Sequence, residues 1–402
     1  MGPLNGVRVV DLTRVLAGPF GTAILGDLGA EIIKVEPPES PDPVRDVGPY
    51  INGQSHYFLS VNRNKSSLSL DFRDPQGLEI LLKLLESADV LVENYRPGVL
   101  RDIGLDPNML KKRYPHLILC SISGFGQTGP KRGDPSFDLV TQALSGAMSV
   151  TGEPGRQPVR LGIPMGDLIG GLYGAIAVCA ALYQRDQGNG SSHIDLALLD
   201  GLVSLMGYMA ARYFATGEIL GPVGGGHHTS VPYDVYEASD GYIAIACMTD
   251  KFWKIICDVI GLSEMGKDDR YSTYDQRRDQ RDRINDEISR VIKGQTLEEW
   301  TRVFEDNGVP HAPILDVAQA IKQPQIVERE MVRQFTHPDY GTFDTLASPI
   351  KFDGDPNPLL KPPPILGQDT DGILEGIGFG EKELQLFHEN GIVSDPKRGE
   401  KK

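Results

Sequence analysis

Residues 7–36 read VRVVDLTRVLAGPFGTAILGDLGAEIIKVE. The apolar run Val7–Leu12 predicts a short strand, and a glycine-containing turn follows at Ala17-Gly18-Pro19. Phe20–Leu28 predicts a helix and Glu31–Val35 a second strand. Outward from this unit the pattern recurs: strand Ser67–Phe72, helix Pro75–Ser87, strand Asp89–Glu93 and strand His116–Ser121. Strands that alternate with helices imply βαβ units and a mainly parallel sheet. The fold class is therefore α/β and Rossmann-like, with ligands expected at the carboxyl ends of the strands. The first βα turn, Thr13-Arg14-Val15-Leu16-Ala17-Gly18-Pro19, is not GxGxxG, which disfavours a nicotinamide-dinucleotide enzyme. GxxxxGK[ST], HExxH and GxSxG are absent as well.

Glycine and proline gather at 221–226, and the pattern then changes. Val231–Glu237 and Gly241–Cys247 predict two strands around the turn Ser239-Asp240-Gly241. Helices are predicted at Lys251–Ile260, Arg277–Ile292 and Leu297–Asp306. Residues 222–320 thus read as a smaller α+β domain after a large domain at 1–221. The mixed charges of Lys267–Asp286 read as a solvated helix face. A proline-rich segment, Pro356–Pro364, precedes a last helix from about Asp369.

The chain has 402 residues, enough for two domains, and 40% apolar residues, which fits a packed globular protein. A net charge of −15 argues against non-specific binding to nucleic acid. Any phosphate must then be met by particular Arg and Lys side chains and helix N-termini. The opening MGPLNGVRVVDL lacks a charged region before a long apolar core, so no secretory signal is expected, and a cytoplasmic or matrix-like compartment is. The most apolar stretch, Leu168–Tyr183, contains three glycines and is expected to be too short for a bilayer span. Cys120, Cys179, Cys247 and Cys257 lie far apart in apolar runs and are expected to be reduced core thiols.

Several segments, taken in order, resemble the family III CoA-transferases, the group of formyl-CoA transferase and the carnitine CoA-transferases. They are Asp11–Pro19, Asp27–Glu36, Asn62–Ser66, Glu93–Gly98, Ser123–Pro130 and, near the end, Pro364–Thr370. The resemblance covers nearly the whole chain. It implies a large domain made from both chain ends, so that 321–402 returns to it, and a small domain from the middle. It also implies two ring-like subunits interlocked as a homodimer, and acyl-CoA with a carboxylic acid as substrates, with no metal.

The segment Gly162–Gly174 matches the place of the family's catalytic aspartate, here Asp167. The residue type suits the task on its own. A carboxylate with an ordinary pKa of about 3.9 is ionised at neutral pH and can attack a thioester without a general base. Taken alone, an Asp before an apolar helix reads equally as an N-cap. Gly166, Gly170 and Gly174 recur on one helical face, where a thioester or another helix could approach closely.

Further contacts follow from the resemblance. Val15, Leu16 and Ala17 match a loop lining the CoA region, with Leu16 where formyl-CoA transferase has glutamine. Leu70, Asp71, Phe72 and Arg73, and Asn94, Tyr95 and Arg96, match stretches that hold the CoA nucleotide; Arg96 and Arg101 are candidates for its phosphates. Phe137 and Asp138 match an aromatic–acid pair beside the nucleophile. Gly224, Gly225, Gly226, His227 and His228 resemble a glycine-rich lid. If the acceptor is a dicarboxylate, as Val231-Pro232-Tyr233 after a His-containing loop suggests by the same likeness, His227 and His228 are candidates for its distal carboxylate. Two other readings stay open. The α-methylacyl-CoA racemases share the aspartate motif, but their second base falls at Phe137 and their extra carboxylate at Thr249. A non-catalytic acyl-CoA-binding protein is the other.

Overall fold

The structure, a computed structural model, describes residues 2–353 and 361–396. Most of the proline-rich segment read from the sequence, residues 356–360, lies outside them. Two compact units emerge: 1–145, 162–205 and 324–402 form the first, and 146–161 with 206–323 the second. The sequence places its divisions at 221/222 and 320/321.

In the first unit the chain runs through β1 (Arg8–Asp11), β2 (Glu31–Glu36), β3 (Lys65–Leu70), β4 (Val90–Glu93), β5 (Ile118–Ser123), β6 (His193–Ala197) and β7 (Val393–Ser394). Its sheet has the order β7-β3-β2-β1-β4-β5-β6. Strands β1 to β6 are parallel, with register such as Val9↔Ile32 and Val10↔Leu91, and only β7 is antiparallel. Helices cover both faces, so the strands are apolar on both sides. Val9, Val90 and Ile118 enter one core, and Val10, Leu91 and Leu119 the other. Strand order reverses between β1 and β4, which makes their carboxyl ends the topological switch point.

The first helix, α1 (Ala17–Asp27), starts a turn before the position expected from sequence, because Pro19 in the first turn needs no donor. Beside it lies α3 (Met165–Gln184), preceded in the chain by α2 (Asp138–Leu144). A Cβ on Gly171 would lie 2.6 Å from the Ala17 carbonyl oxygen, and one on Gly21 would lie 2.8 Å from that of Gly171. The two backbones therefore touch. Continued to Asn189, α3 is long and apolar enough to cross a membrane by length and composition, unlike the sequence expectation. Half of its apolar window is buried inside the fold, as a core helix requires.

The second unit holds a three-stranded antiparallel sheet of Tyr233–Glu237, Tyr242–Ala246 and His311–Pro313. Trp253, Ile256, Ile284, Ile288, Trp300 and Phe304 of its helices pack onto that sheet. The helix expected over 277–292 is two, Tyr274–Asp279 and Arg281–Ile292, because Arg277 is buried and donates to the carbonyls of Val231 and Tyr271. All four cysteines are free thiols, and Cys179 alone of them is half-buried instead of buried.

Candidate active site

The loop after β1 is held by an ionic network in the dry interior. Asp11, fully buried, accepts from the Thr13 amide (2.8 Å) and hydroxyl (2.5 Å), from the Thr22 hydroxyl (2.7 Å) and from Lys65 Nζ (2.9 Å). Burial alone would push its carboxyl up; Lys65, Lys34 and the two hydroxyls outweigh that and hold it at about 2. Lys34 Nζ donates to the Thr13 carbonyl (2.7 Å) and to Asp42 (3.0 Å), and Asp42 accepts from the Val15 amide (3.0 Å). From the other side Asn94 clasps Arg14: its Oδ1 accepts from the Arg14 amide and its Nδ2 donates to the Arg14 carbonyl, both at 2.8 Å. Between these holds Val15 takes φ 69°, a left-handed conformation that a β-branched residue avoids. Such an outlier costs about 1–3 kcal/mol and persists where neighbours over-determine it, commonly at functional sites.

This loop forms one wall of a 520 Å³ cavity. Arg14 to Ala17 after β1, Asn94 to Arg96 after β4, and Ile122 to Gly124 at the carboxyl end of β5 line it, as the switch-point rule requires. Phe137, Asp167 and Arg73 also face it. A larger cavity of 840 Å³ lies at the opposite strand ends, by Arg8 and Glu31. Its lining includes Asp369, Asp371, Glu375 and Glu381, which would repel a polyphosphate.

Asp167 stands in the first turn of α3, and Pro164, not Asp167, occupies the N-cap. The capping alternative is thereby removed. The Gly166 amide donates instead to Asp138 Oδ1 (2.8 Å), while Asp138 Oδ2 accepts from Gln142 (2.6 Å). Asp138 thus ties the start of α2 to the start of α3 and sets the position of the neighbouring Asp167. Burial, followed by the charge of Asp138, pushes the Asp167 carboxyl up from 3.8 to about 6. It remains mostly ionised above neutrality, yet is more basic and less solvated than the ordinary value implies. The glycines after it serve packing: a Cβ on Gly170 would lie 2.3 Å from Leu198, and one on Gly174 would lie 3.1 Å from Ile122.

Not every expected contact gathers here. Val15, Leu16, Ala17, Arg73, Asn94, Tyr95, Arg96 and Phe137 do. Leu70 and Phe72 are buried in the core, which leaves Asp71 and Arg73 as the polar groups of that stretch. Arg101 does not line the cavity; it is exposed and paired with Asp106 at 3.0 Å. The glycine loop belongs to the second unit, where both its imidazoles already have partners. His227 lies between the rings of Tyr208 and Tyr233, and its Nδ1 accepts from the amides of Thr229 and Ser230 (3.3 Å each). His228 Nε2 lies 2.8 Å from the Gly221 carbonyl, which it meets as a donor. Thr249 caps the helix Asp250–Val259 through its hydroxyl. The sequence reading missed Arg14 and Asp42 as parts of the site, and also Ser136. The Ser136 hydroxyl has no hydrogen-bond partner among the described residues, in a residue that lines the cavity.

The family model of CoA-transferase family III matches residues 4–370. A mouse succinyl-CoA:glutarate CoA-transferase is 38% identical over 395 residues, 98% of this chain and 91% of that protein. An acetyl-CoA:oxalate CoA-transferase from Acetobacter aceti is 39% identical, over 90% of this chain and 92% of its own. Among solved structures, a CAIB/BAIF family protein from Brucella suis superposes with a TM-score of 0.83 at 35% identity. That match covers 94% of this chain and 99% of the other.

Proposed function

The chain belongs to CoA-transferase family III and moves CoA between an acyl-CoA and a carboxylic acid, and we propose that Asp167 carries the acyl group and CoA in turn, with dicarboxylic acids as acceptors. The observation that supports the covalent reading is the setting of Asp167: a half-buried carboxylate facing the switch-point cavity with a raised pKa. Its oxygen attacks the thioester carbonyl, the C–S bond breaks, and an aspartyl–acyl anhydride and CoA thiolate result. The thiolate then attacks the aspartyl carbonyl, forms an aspartyl-CoA thioester and expels the first acid as carboxylate. The acceptor carboxylate reverses both steps. No proton is transferred and no base is needed. The exposed Arg73 and Arg96 suit the phosphates of CoA. Succinyl-CoA with glutarate and acetyl-CoA with oxalate, in the names of the two relatives, are the reason for the dicarboxylate reading.

Incubation with acyl-CoA followed by hydroxylamine or borohydride is expected to modify Asp167 alone, read by peptide mass spectrometry. An unmodified Asp167 in a turning-over enzyme would remove the covalent step. The pH profile gives a second check. Because the carboxylate is the reactive form, kcat/KM should fall tenfold per pH unit below about 6 and stay flat above it. A limb that breaks near 4 would contradict the buried setting.

The exposed apolar side chains of the first unit support a homodimer. Leu139, Val140 and Leu144 of α2, with Leu172, Ile176 and Tyr183 of α3, are all at least 40% exposed. Surface of this kind marks an interface. If two chains interlock as the resemblance implies, sedimentation at nanomolar concentration should give dimer only. A folded monomer there would remove the interlocked reading.

A further inference from the structure

Three arginines line the cavity, and they differ in setting. Arg73 and Arg96 are exposed, whereas Arg14 is half-buried in the wall that also carries Val15 and Leu16. Among the described residues no carboxylate forms an ion pair with Arg14. Its guanidinium instead lies 6.0 Å from the ring centre of Tyr95, a phenol that burial keeps neutral by pushing it up to about 12. The backbone of Arg14 is fixed by the two bonds of Asn94, and that of Val15 by Asp42. A cation that is pre-positioned, partly desolvated and without an anion of its own is a site for one. The exposed pair suits a solvated pyrophosphate. A half-buried arginine that lines the same cavity as the nucleophile, its guanidinium beside the lining Tyr95, suits the far end of a short acyl chain.

We infer that Arg14 binds the distal carboxylate of a dicarboxylic substrate while the proximal carboxyl reacts at Asp167. This assignment rests on the transferase reading above and gives to Arg14 the role for which the sequence offered His227 and His228. The two half-reactions are mirror images at Asp167. One arginine therefore serves the dicarboxylic acyl-CoA as donor and the free dicarboxylate as acceptor.

The test compares wild type, Arg14→Gln and Arg14→Lys with a four- or five-carbon dicarboxylate and with the monocarboxylate of equal length. Succinyl-CoA and butyryl-CoA serve as donors, and CoA affinity is measured by calorimetry. Loss of a hydrogen-bonded charge partner should raise the KM for dicarboxylates and for succinyl-CoA about ten- to a hundredfold. Monocarboxylate and butyryl-CoA kinetics, and the Kd for CoA, should stay within about threefold, the margin of a neutral substitution. Arg14→Lys, which keeps the charge but loses the fork, should fall between. Equal losses for both acids, or weaker CoA binding without acid discrimination, would overturn the assignment. A wild type that uses monocarboxylates only would overturn it too, while leaving CoA transfer intact. Absence of any CoA exchange by the wild type would instead sink the transferase reading itself.

Discussion

Asp167→Asn should lose at least about four orders of magnitude in turnover, the scale seen when a covalent nucleophile is removed. The amide keeps the shape of the carboxylate but cannot form the anhydride, so CoA affinity should stay near that of the wild type. The same substitution should make the protein more stable at neutral pH. The folded carboxyl binds its proton more tightly than the unfolded one, so its cost to stability is absent below the unfolded value of 3.8 and complete above about 6. Roughly 1.4 kcal/mol attends each pKa unit, and half-burial screens part of it, which leaves about 1–2 kcal/mol for Asn to recover. Urea titration at pH 7.5 and at about pH 3 measures it: the gain should appear at the higher pH and vanish at the lower. Turnover within tenfold of wild type would dispose of Asp167 as the reactive group.

The second large effect concerns the network under the Val15 loop. Lys65→Met should destabilise the first unit by about 3–5 kcal/mol, because Asp11 stays buried after its closest cation has gone. Burial pushes the Lys65 ammonium down to about 8, so it is still charged at neutral pH in the wild type. Adding Asp11→Asn should recover part of the loss, since a neutral amide can keep the bonds to Thr13 and Thr22. An unchanged urea midpoint for the single variant would mean that the pair contributes little. A double variant no better than the single one would show that the hydrogen bonds, and not the charge, carry the effect.

The first βαβ unit was legible because residues 7–36 carry apolar runs of strand length around a single turn. Asp167 was legible by resemblance, but its raised pKa was not, since it comes first from burial and then from the charge of Asp138, twenty-nine residues earlier and brought near only by the packing of α2 on α3. Arg14 escaped notice for a related reason. Its two anchoring bonds come from Asn94, eighty residues along, and the amide beside it is held by Asp42 from a stretch with no periodic signal. Leu70 and Phe72 were placed at the ligand although they face the core. A strand covered on both sides gives no alternation to tell a pocket-facing position from a packed one. The partners of the glycine-loop imidazoles, a ring stack and local amides and carbonyls, leave no mark in composition.

The antiparallel strand β7 has a bearing on how the protein is made. Val393 pairs with Leu70, and the Ser67 amide donates to Asp369 at 2.9 Å, so among the described residues the outer side of β3 is covered by segments synthesised long after it. At a translation rate of about 5–20 residues per second, the intervening stretch takes on the order of 15–65 s to emerge. For that interval a ribosome-bound chain presents Lys65–Leu70 as an open sheet edge, a template for pairing with other nascent chains. Premature stops after Leu198 and before residue 393 should therefore yield polypeptides that precipitate or recruit chaperones, even though Asp167 and every residue lining its cavity have already been made.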